Sequence, residues 1–362
     1  MRAFIVATAA VSLTSAVLAM TDATVVTNAE ALRNSTAISL TWKSTGPVNV
    51  LMSLKPDATP DQMTLISEND TDGKHTVTDV DTKTRPYFYI TPQSGDGTRV
   101  AVRLLPLEGG RNFRDMGGYP TEDGRHVKWG HVFRSGMMAD LTDADYDYLS
   151  GLGIQTVCDF RANEERADEP TEWAAGDIDY VTWDYAMVTG SEDLRTMFQD
   201  PELTPAKVKA GMAKTYFGII EDHKHQYKEM FHRLAEGEIP LAFNCSAGKD
   251  RAGTGAALIL SALGVPRDLV VEDYALSEKM VDYEAAFGAG GMSEEEIENS
   301  PYGFLAKLPA EMRAPLLRSD PDYIRGTFAY LDETYGGVDA FIRDELDIDD
   351  IELAKIRSSL LE

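Results

Sequence analysis

The chain has 362 residues, enough for two domains of ordinary size, and 43% apolar content with unexceptional Gly and Pro marks it as globular. Sixty acidic against 34 basic side chains give a formal charge of −26, which disfavours broad binding to nucleic acid or anionic lipid. Any phosphorylated ligand must therefore be drawn in by a local cationic pocket.

Residues 1–19 read as a secretory leader. Arg2 opens it, positions 3–18 are apolar and small, and Val17, Leu18 and Ala19 form a small-residue cleavage site. Thr8, Ser12, Thr14 and Ser15 interrupt the run, and no later segment approaches the ~18 apolar residues of a membrane helix. Export, periplasmic or secreted, is the expectation, with no membrane anchor after cleavage.

Residues 22–105 have β character. Ile38, Leu40 and Trp42 alternate on one face, and further strands are predicted at 48–52, 75–80, 87–91 and 98–105, separated by turn clusters. Short strands at such intervals predict a small β-sandwich. With Trp42 on an early strand and the aromatic run Tyr87, Phe88, Tyr89 near the penultimate one, the segment resembles a fibronectin type III-like module. It carries no clustered chemistry, so a spacer or docking role is expected, with Trp42 in its core rather than on a carbohydrate.

The composition then shifts to a glycine-dense loop at 108–119, followed by a strand at 130–135. A helix over 141–152 has Thr142 as a plausible N-cap. Strands are predicted at 153–161 and 178–185, and helices at 203–220 and 223–235. A strand at 240–244 leads into a loop beginning with Cys245, then a helix rich in Ala, Leu and Gly. Residues 266–279 are helical, 289–301 read as a mobile insertion, and 321–362 are helical with a break at Gly336 and Gly337. Strands alternating with helices predict an α/β layer fold for residues 107–362.

The loop after that strand carries the chemistry. Strand, tight loop and helix aim backbone N–H groups and a helix N-terminus at one point, which makes an anion site. Cys245 stands at its mouth and Arg251 at its far end. A thiolate there can take a phosphoryl group, because the same N–H groups that bind phosphate lower a thiol pKa. The N–H groups of Ser246, Ala247, Gly248, Lys249, Asp250 and Arg251, with the Arg251 fork, suit the equatorial oxygens of the transition state. Gly248 lets the loop curl, and Lys249 adds charge at the pocket rim or pairs with acidic neighbours. The leaving oxygen needs a proton. Asp250, inside the loop, is the choice of acid, with Asp184 at a strand end as the alternative.

Residues 245–251 resemble the phosphate loop of the atypical bacterial tyrosine and lipid phosphatases, a branch of the cysteine-dependent protein tyrosine phosphatases. The stretches at 112–118, 124–125, 133–135, 152–161 with Glu164, 273–277 and 335–336 are similar to further motifs of that family. The resemblance implies a four- or five-stranded, mostly parallel sheet flanked by helices, and an acid within the loop, Asp250. It also implies that Arg114, Asp159 and Arg161 brace the loop, unless each is only a structural ion-pair partner.

Two positions depart from the family pattern. Asn244 stands where histidine usually precedes the nucleophile, so it can hydrogen-bond the loop but supplies no positive charge. Ala252 replaces a Ser or Thr whose hydroxyl helps the sulfur leave, which predicts slow hydrolysis of the thiophosphoryl enzyme. Cys158 is expected as a small core residue, with a reversible link to Cys245 as the alternative.

The expected activity is phosphomonoester hydrolysis, on phosphotyrosine and also phosphoinositides or inositol phosphates. A phosphate-recognising pseudophosphatase using the β module for docking is the competing reading; sulfur transfer would leave Asp250 without use. No cofactor and no metal is implied: the six histidines are scattered, and His223 and His225 point to different helix faces. Oligomeric state is not encoded in any recognisable pattern.

Overall fold

The period-two alternation of the first part of the chain builds a two-layer β structure. The computed structural model describes residues 24–186, 196–287, 293, 298 and 303–362. The expected leader and most of the 289–301 stretch lie outside these residues. Strands β1 (Val26–Asn34), β2 (Ala37–Ser44), β3 (Val48–Ser53), β4 (Thr64–Asp70), β5 (Lys74–Val77), β6 (Tyr87–Pro92) and β7 (Thr98–Ala101) come first. They form two antiparallel sheets, ordered β1-β2-β5 and β4-β3-β6-β7. Ile38, Leu40 and Trp42 of the first sheet pack against Val48, Val50, Phe88 and Ile90 of the second in one core. Trp42 is therefore a core residue.

Two strands absent from the sequence reading are β1 and β4. Both border their sheets, and both carry register shifts, between Thr27 and Glu30 in β1 and around Val50 opposite β4. A bulge breaks the alternation that reveals a strand, and a half-solvated edge needs few apolar residues.

The second part is mixed α/β. Its elements are β8 (Arg114–Asp115), β9 (Val132–Ser135), α1 (Asp143–Ser150), β10 (Thr156–Asp159), α2 (Asn163–Asp168), β11 (Asp179–Thr182), α3 (Pro205–Asp222) and α4 (Lys224–Glu236). They continue with β12 (Leu241–Asn244), α5 (Arg251–Ala262), α6 (Arg267–Met280), α7 (Tyr283–Phe287), α8 (Gly303–Ala306) and α9 (Ala310–Leu317). Last come α10 (Pro321–Tyr335), α11 (Val338–Asp344) and α12 (Asp350–Leu360). Thr142 caps α1 by accepting the Asp145 N–H. Gly336 and Gly337, both at positive φ, end α10.

The five-stranded sheet runs β11-β10-β12-β9-β8 and is parallel except where β8 meets β9. Its central strands are buried on both faces. Leu241, Phe243, Cys158 and Val132 enter one core with α3 to α6, while Ala242, Val157 and Phe133 enter another with Tyr148 and Leu149 of α1. Leu105, placed by sequence at the end of the β module, packs in this second core with Phe113 and Phe133.

The β module is fastened to the α/β part by buried polar contacts. Arg85 pairs with Asp115 at 2.7 Å, both side chains being almost fully buried. Asp115 also accepts the N–H groups of Gly117 and Gly130 at 2.7 Å each. Arg103 stacks over Tyr119 and Trp129, 4.2 and 4.7 Å from their ring centres, and donates to the Asp115 carbonyl. Among the described residues no helix is long and apolar enough to cross a membrane.

Candidate active site

Strand β12 ends at Asn244, and the chain turns through residues 245–250 before α5 begins at Arg251. Three successive carbonyls of the loop are held from outside it. Ser246 C=O accepts the Met137 N–H at 3.0 Å, and Ala247 C=O accepts the Tyr283 hydroxyl at 3.0 Å. Gly248 C=O accepts Asn112 Nδ2 at 2.8 Å and Arg134 Nη2 at 2.9 Å. In a trans peptide the N–H points opposite to the C=O of the same unit. Anchoring these carbonyls therefore turns the N–H groups of Ala247, Gly248 and Lys249 the other way. Among the described residues, the N–H groups of Ser246, Ala247, Gly248, Lys249 and Asp250 donate to no protein acceptor. Buried amides of folded proteins are almost always satisfied, so a run of unspent donors is a nest for an anion.

Gly248 is required by sterics. Its φ is +73°, and an added Cβ would lie 2.5 Å from Gly136 N and 2.8 Å from Ser135 C. The tight approach is to the chain leaving β9, a reason the sequence reading did not supply.

Cys245 is buried, as is the whole strand before it. Arg251 is fixed by Glu165, which accepts Nη1 at 2.6 Å and Nη2 at 2.7 Å, and by the Phe160 carbonyl at 3.1 Å. The Ser246 hydroxyl also donates to Glu165, at 2.5 Å. The acidic residue expected beside the central strand, Glu164, is exposed; it is Glu165, one position on, that the turn of α2 buries against the arginine.

Asp250 carries its carboxylate in the loop, with Oδ1 accepting the Tyr216 hydroxyl at 2.5 Å. Asp184 is exposed, and its carboxylate accepts Asn163 Nδ2 at 2.6 Å. Lys249 does not stand at an exposed rim. It is buried, with Nζ donating to the carbonyls of Leu316 at 2.7 Å and Arg318 at 3.2 Å, where the end of α9 leaves acceptors unspent.

Asn244 Nδ2 donates to Asp159 Oδ1 at 3.0 Å, while its own Oδ1 is buried without a partner. Asp159 further accepts Arg161, through Nε at 3.0 Å and Nη2 at 2.8 Å, and the Tyr180 hydroxyl at 2.7 Å. Asn244, Asp159, Arg161 and Tyr180 thus form one hydrogen-bonded group at the strand end before Cys245. Arg114 acts from the other side and at one remove: it bonds Asn112, which holds Gly248, and donates to the Asp273 carbonyl at 2.8 Å. Burial and the neighbouring Arg134 push the Arg114 guanidinium down to about 10, against the pull of Asp273. Burial pushes the Asp273 carboxyl up, but Arg114, Arg134 and Arg103 outweigh it and hold it below the usual carboxylate range.

Asn112, Arg134, Asp273, Glu165 and Tyr216 had no assigned role. A signal was present for some of them: Arg134 and Asp273 are charges in largely apolar stretches, which is costly when they are buried unpaired. Here they pair with each other at 2.8 Å.

Both cysteines are free thiols. Cys158 lies on β10 opposite Phe243 of β12, and burial pushes its thiol well above the ordinary value, as suits a core residue. Among the described residues no group of three or more His, Cys, Asp or Glu side chains is placed to hold a metal ion.

Known proteins resemble this chain over most of its length. The model of the tyrosine phosphatase family matches residues 105–362. A Cupriavidus necator protein carrying the name tyrosine-protein phosphatase is 34% identical over 282 residues, 75% of this chain and 94% of that protein. A tyrosine-protein phosphatase of Nostoc commune is 27% identical, over 58% of this chain and 67% of its own. The triple specificity protein phosphatase PtpB of Mycobacterium tuberculosis is 28% identical, over 68% of this chain and 94% of its own.

Proposed function

The chain belongs to the tyrosine phosphatase family, and on that premise we propose that it is an exported phosphomonoester hydrolase working through a phosphoryl group on Cys245. That it is a hydrolase of the protein-tyrosine phosphatase type follows from the family. The finer reading rests on one observation: the unspent N–H groups of residues 246–250, between Cys245 and a guanidinium held rigid by Glu165.

In this reading the phosphate oxygens lie against those N–H groups and beside the Arg251 guanidinium, whose charge they share with Glu165. Cys245 Sγ attacks phosphorus as a thiolate. Asp250 protonates the departing oxygen, and then accepts a proton from the water that releases phosphate. Asp250 is preferred to Asp184 because it belongs to the loop itself, and reach decides the role first.

Phosphotyrosine is the first substrate class. The name of the Mycobacterium relative supports a range wider than one class, so phosphoinositides and inositol phosphates belong in the test panel. The burial of Lys249 on main-chain carbonyls argues against that residue as the ligand for a second phosphate. Export rests on the pattern of residues 1–19, and the β module is read as a part of the structural frame. Turnover of p-nitrophenyl phosphate by wild type and by Cys245→Ser tests the proposal. Loss of turnover in the variant is expected; equal turnover by both would remove Cys245 from the mechanism.

A further inference from the structure

Asp250 occupies the N-cap of α5, yet its side chain makes no cap hydrogen bond. An aspartate there ordinarily turns its carboxylate onto the amides of the first helical turn. Here Tyr216 draws it away, its hydroxyl donating to Oδ1 at 2.5 Å. Tyr216 is itself held on two sides. Its hydroxyl shares a hydrogen bond with that of Tyr274, and its ring meets those of Tyr274 and Tyr323 at 6.0 and 5.5 Å. All three rings are buried, on α3, α6 and α10. Burial, with the neighbouring Asp250 charge, keeps the Tyr216 hydroxyl protonated far above neutral pH, so it remains a donor.

The donor order along this chain is then fixed. Tyr216 spends its one proton on Asp250, so Tyr274 must donate to Tyr216. The Lys249 ammonium also lies on the Oδ1 side, at 3.5 Å. With Oδ1 occupied, a proton carried by the carboxyl group resides on Oδ2, which among the described residues accepts no hydrogen bond.

We propose that Tyr216, held by Tyr274, is a positioning residue for proton donation, turning Asp250 so that Oδ2 delivers the proton to the leaving oxygen. The inference rests on the assignment of Asp250 as the acid. In the first step the Sγ–P bond forms and the P–O bond breaks. The electron pair released on the leaving oxygen takes the proton of Oδ2, and the carboxylate that remains keeps the Tyr216 hydrogen bond. In the second step that carboxylate takes a proton from the attacking water, the O–P bond forms, and the Sγ–P electron pair returns to the thiolate.

The test compares phenyl phosphate, which needs leaving-group protonation, with p-nitrophenyl phosphate, which needs it little. It uses Asp250→Asn, Tyr216→Phe, Tyr274→Phe and the Asp250→Asn/Tyr216→Phe double variant. The phenylalanine variants keep ring volume and remove only the hydroxyl. Tyr216→Phe should lower kcat/KM about tenfold on phenyl phosphate and far less on p-nitrophenyl phosphate, as loss of one hydrogen bond to a charged group implies. Tyr274→Phe should act in the same sense but more weakly, and the double variant should match Asp250→Asn alone on phenyl phosphate. Equal losses on both substrates in Tyr216→Phe, or additive losses in the double variant, would overturn the positioning role. If Asp250→Asn itself showed no leaving-group dependence, the acid assignment would fail instead, and the inference with it.

Discussion

Glu165 and Arg251 form a two-point ion pair, Nη1 to Oε2 at 2.6 Å and Nη2 to Oε1 at 2.7 Å, and the same carboxylate receives the Ser246 hydroxyl. One buried acid thus orients both ends of the loop. Hydrogen bonds to charged groups contribute about 1.5–3 kcal/mol each, and in a transition state that is mostly charge the orientation is felt directly. Glu165→Gln should therefore lower kcat/KM roughly ten- to hundredfold, with Cys245 still present to react with iodoacetate. Unchanged kcat/KM would remove Glu165 from the account.

Ala252 is buried at the start of α5, in the same apolar cluster as Cys245. The nearby Ser246 hydroxyl is committed to Glu165. Neither position then offers a hydroxyl to help the sulfur depart, so release of the first product should show a burst followed by slow turnover. Ala252→Ser should restore about one neutral hydrogen bond, raising kcat roughly five- to tenfold and shrinking the burst. Linear single-phase release in wild type would contradict this.

His223 ties the site to acid stability. Burial, reinforced by the Arg251 guanidinium, pushes its imidazole from 6.5 down to about 4. The unfolded chain takes up that proton first as pH falls, so the associated stability is complete above 6.5 and is lost progressively towards pH 4. The effect amounts to ~3 kcal/mol at most. Urea midpoints between pH 7 and 4.5 should fall less steeply for His223→Gln than for wild type; parallel slopes would contradict the assignment.

The β module is joined to the rest through Arg85 and Asp115, at 2.7 Å with both side chains buried. Removing one partner of a buried pair typically costs ~3–5 kcal/mol. Arg85→Met should lower the denaturation midpoint accordingly and weaken activity, since Asp115 adjoins Arg114 and hence the contacts to Gly248. A midpoint within error of wild type would make the module an independent appendage.

The loop from 245 to 251 was legible because its chemistry is local: an apolar strand, a glycine and a helix start fall within a dozen residues. The contacts that shape it were not, because they join distant positions. Asn112 and Arg134 reach Gly248 across separations of 136 and 114 residues, and Tyr216 lies 34 residues before Asp250. Tyr216 reads in sequence as an ordinary apolar helix position, and only its buried hydroxyl reveals its partner. Glu165 rather than Glu164 meets Arg251 because helix phase decides, and six residues of α2 are too few to fix that phase from pattern alone. Lys249 was misplaced for a related reason: the acceptors that bury it, at 316 and 318, lie at the C-terminal end of a helix not foreseen.

The central claim is that Cys245 carries the phosphoryl group. Wild-type protein mixed with p-nitrophenyl phosphate, acid-quenched within the burst and digested, gives the most direct answer by mass spectrometry. The account predicts one phosphoryl adduct, on the peptide containing Cys245, absent from Cys245→Ser and accumulating because of Ala252. A phosphoryl group on any other residue, or none while turnover proceeds, would contradict it.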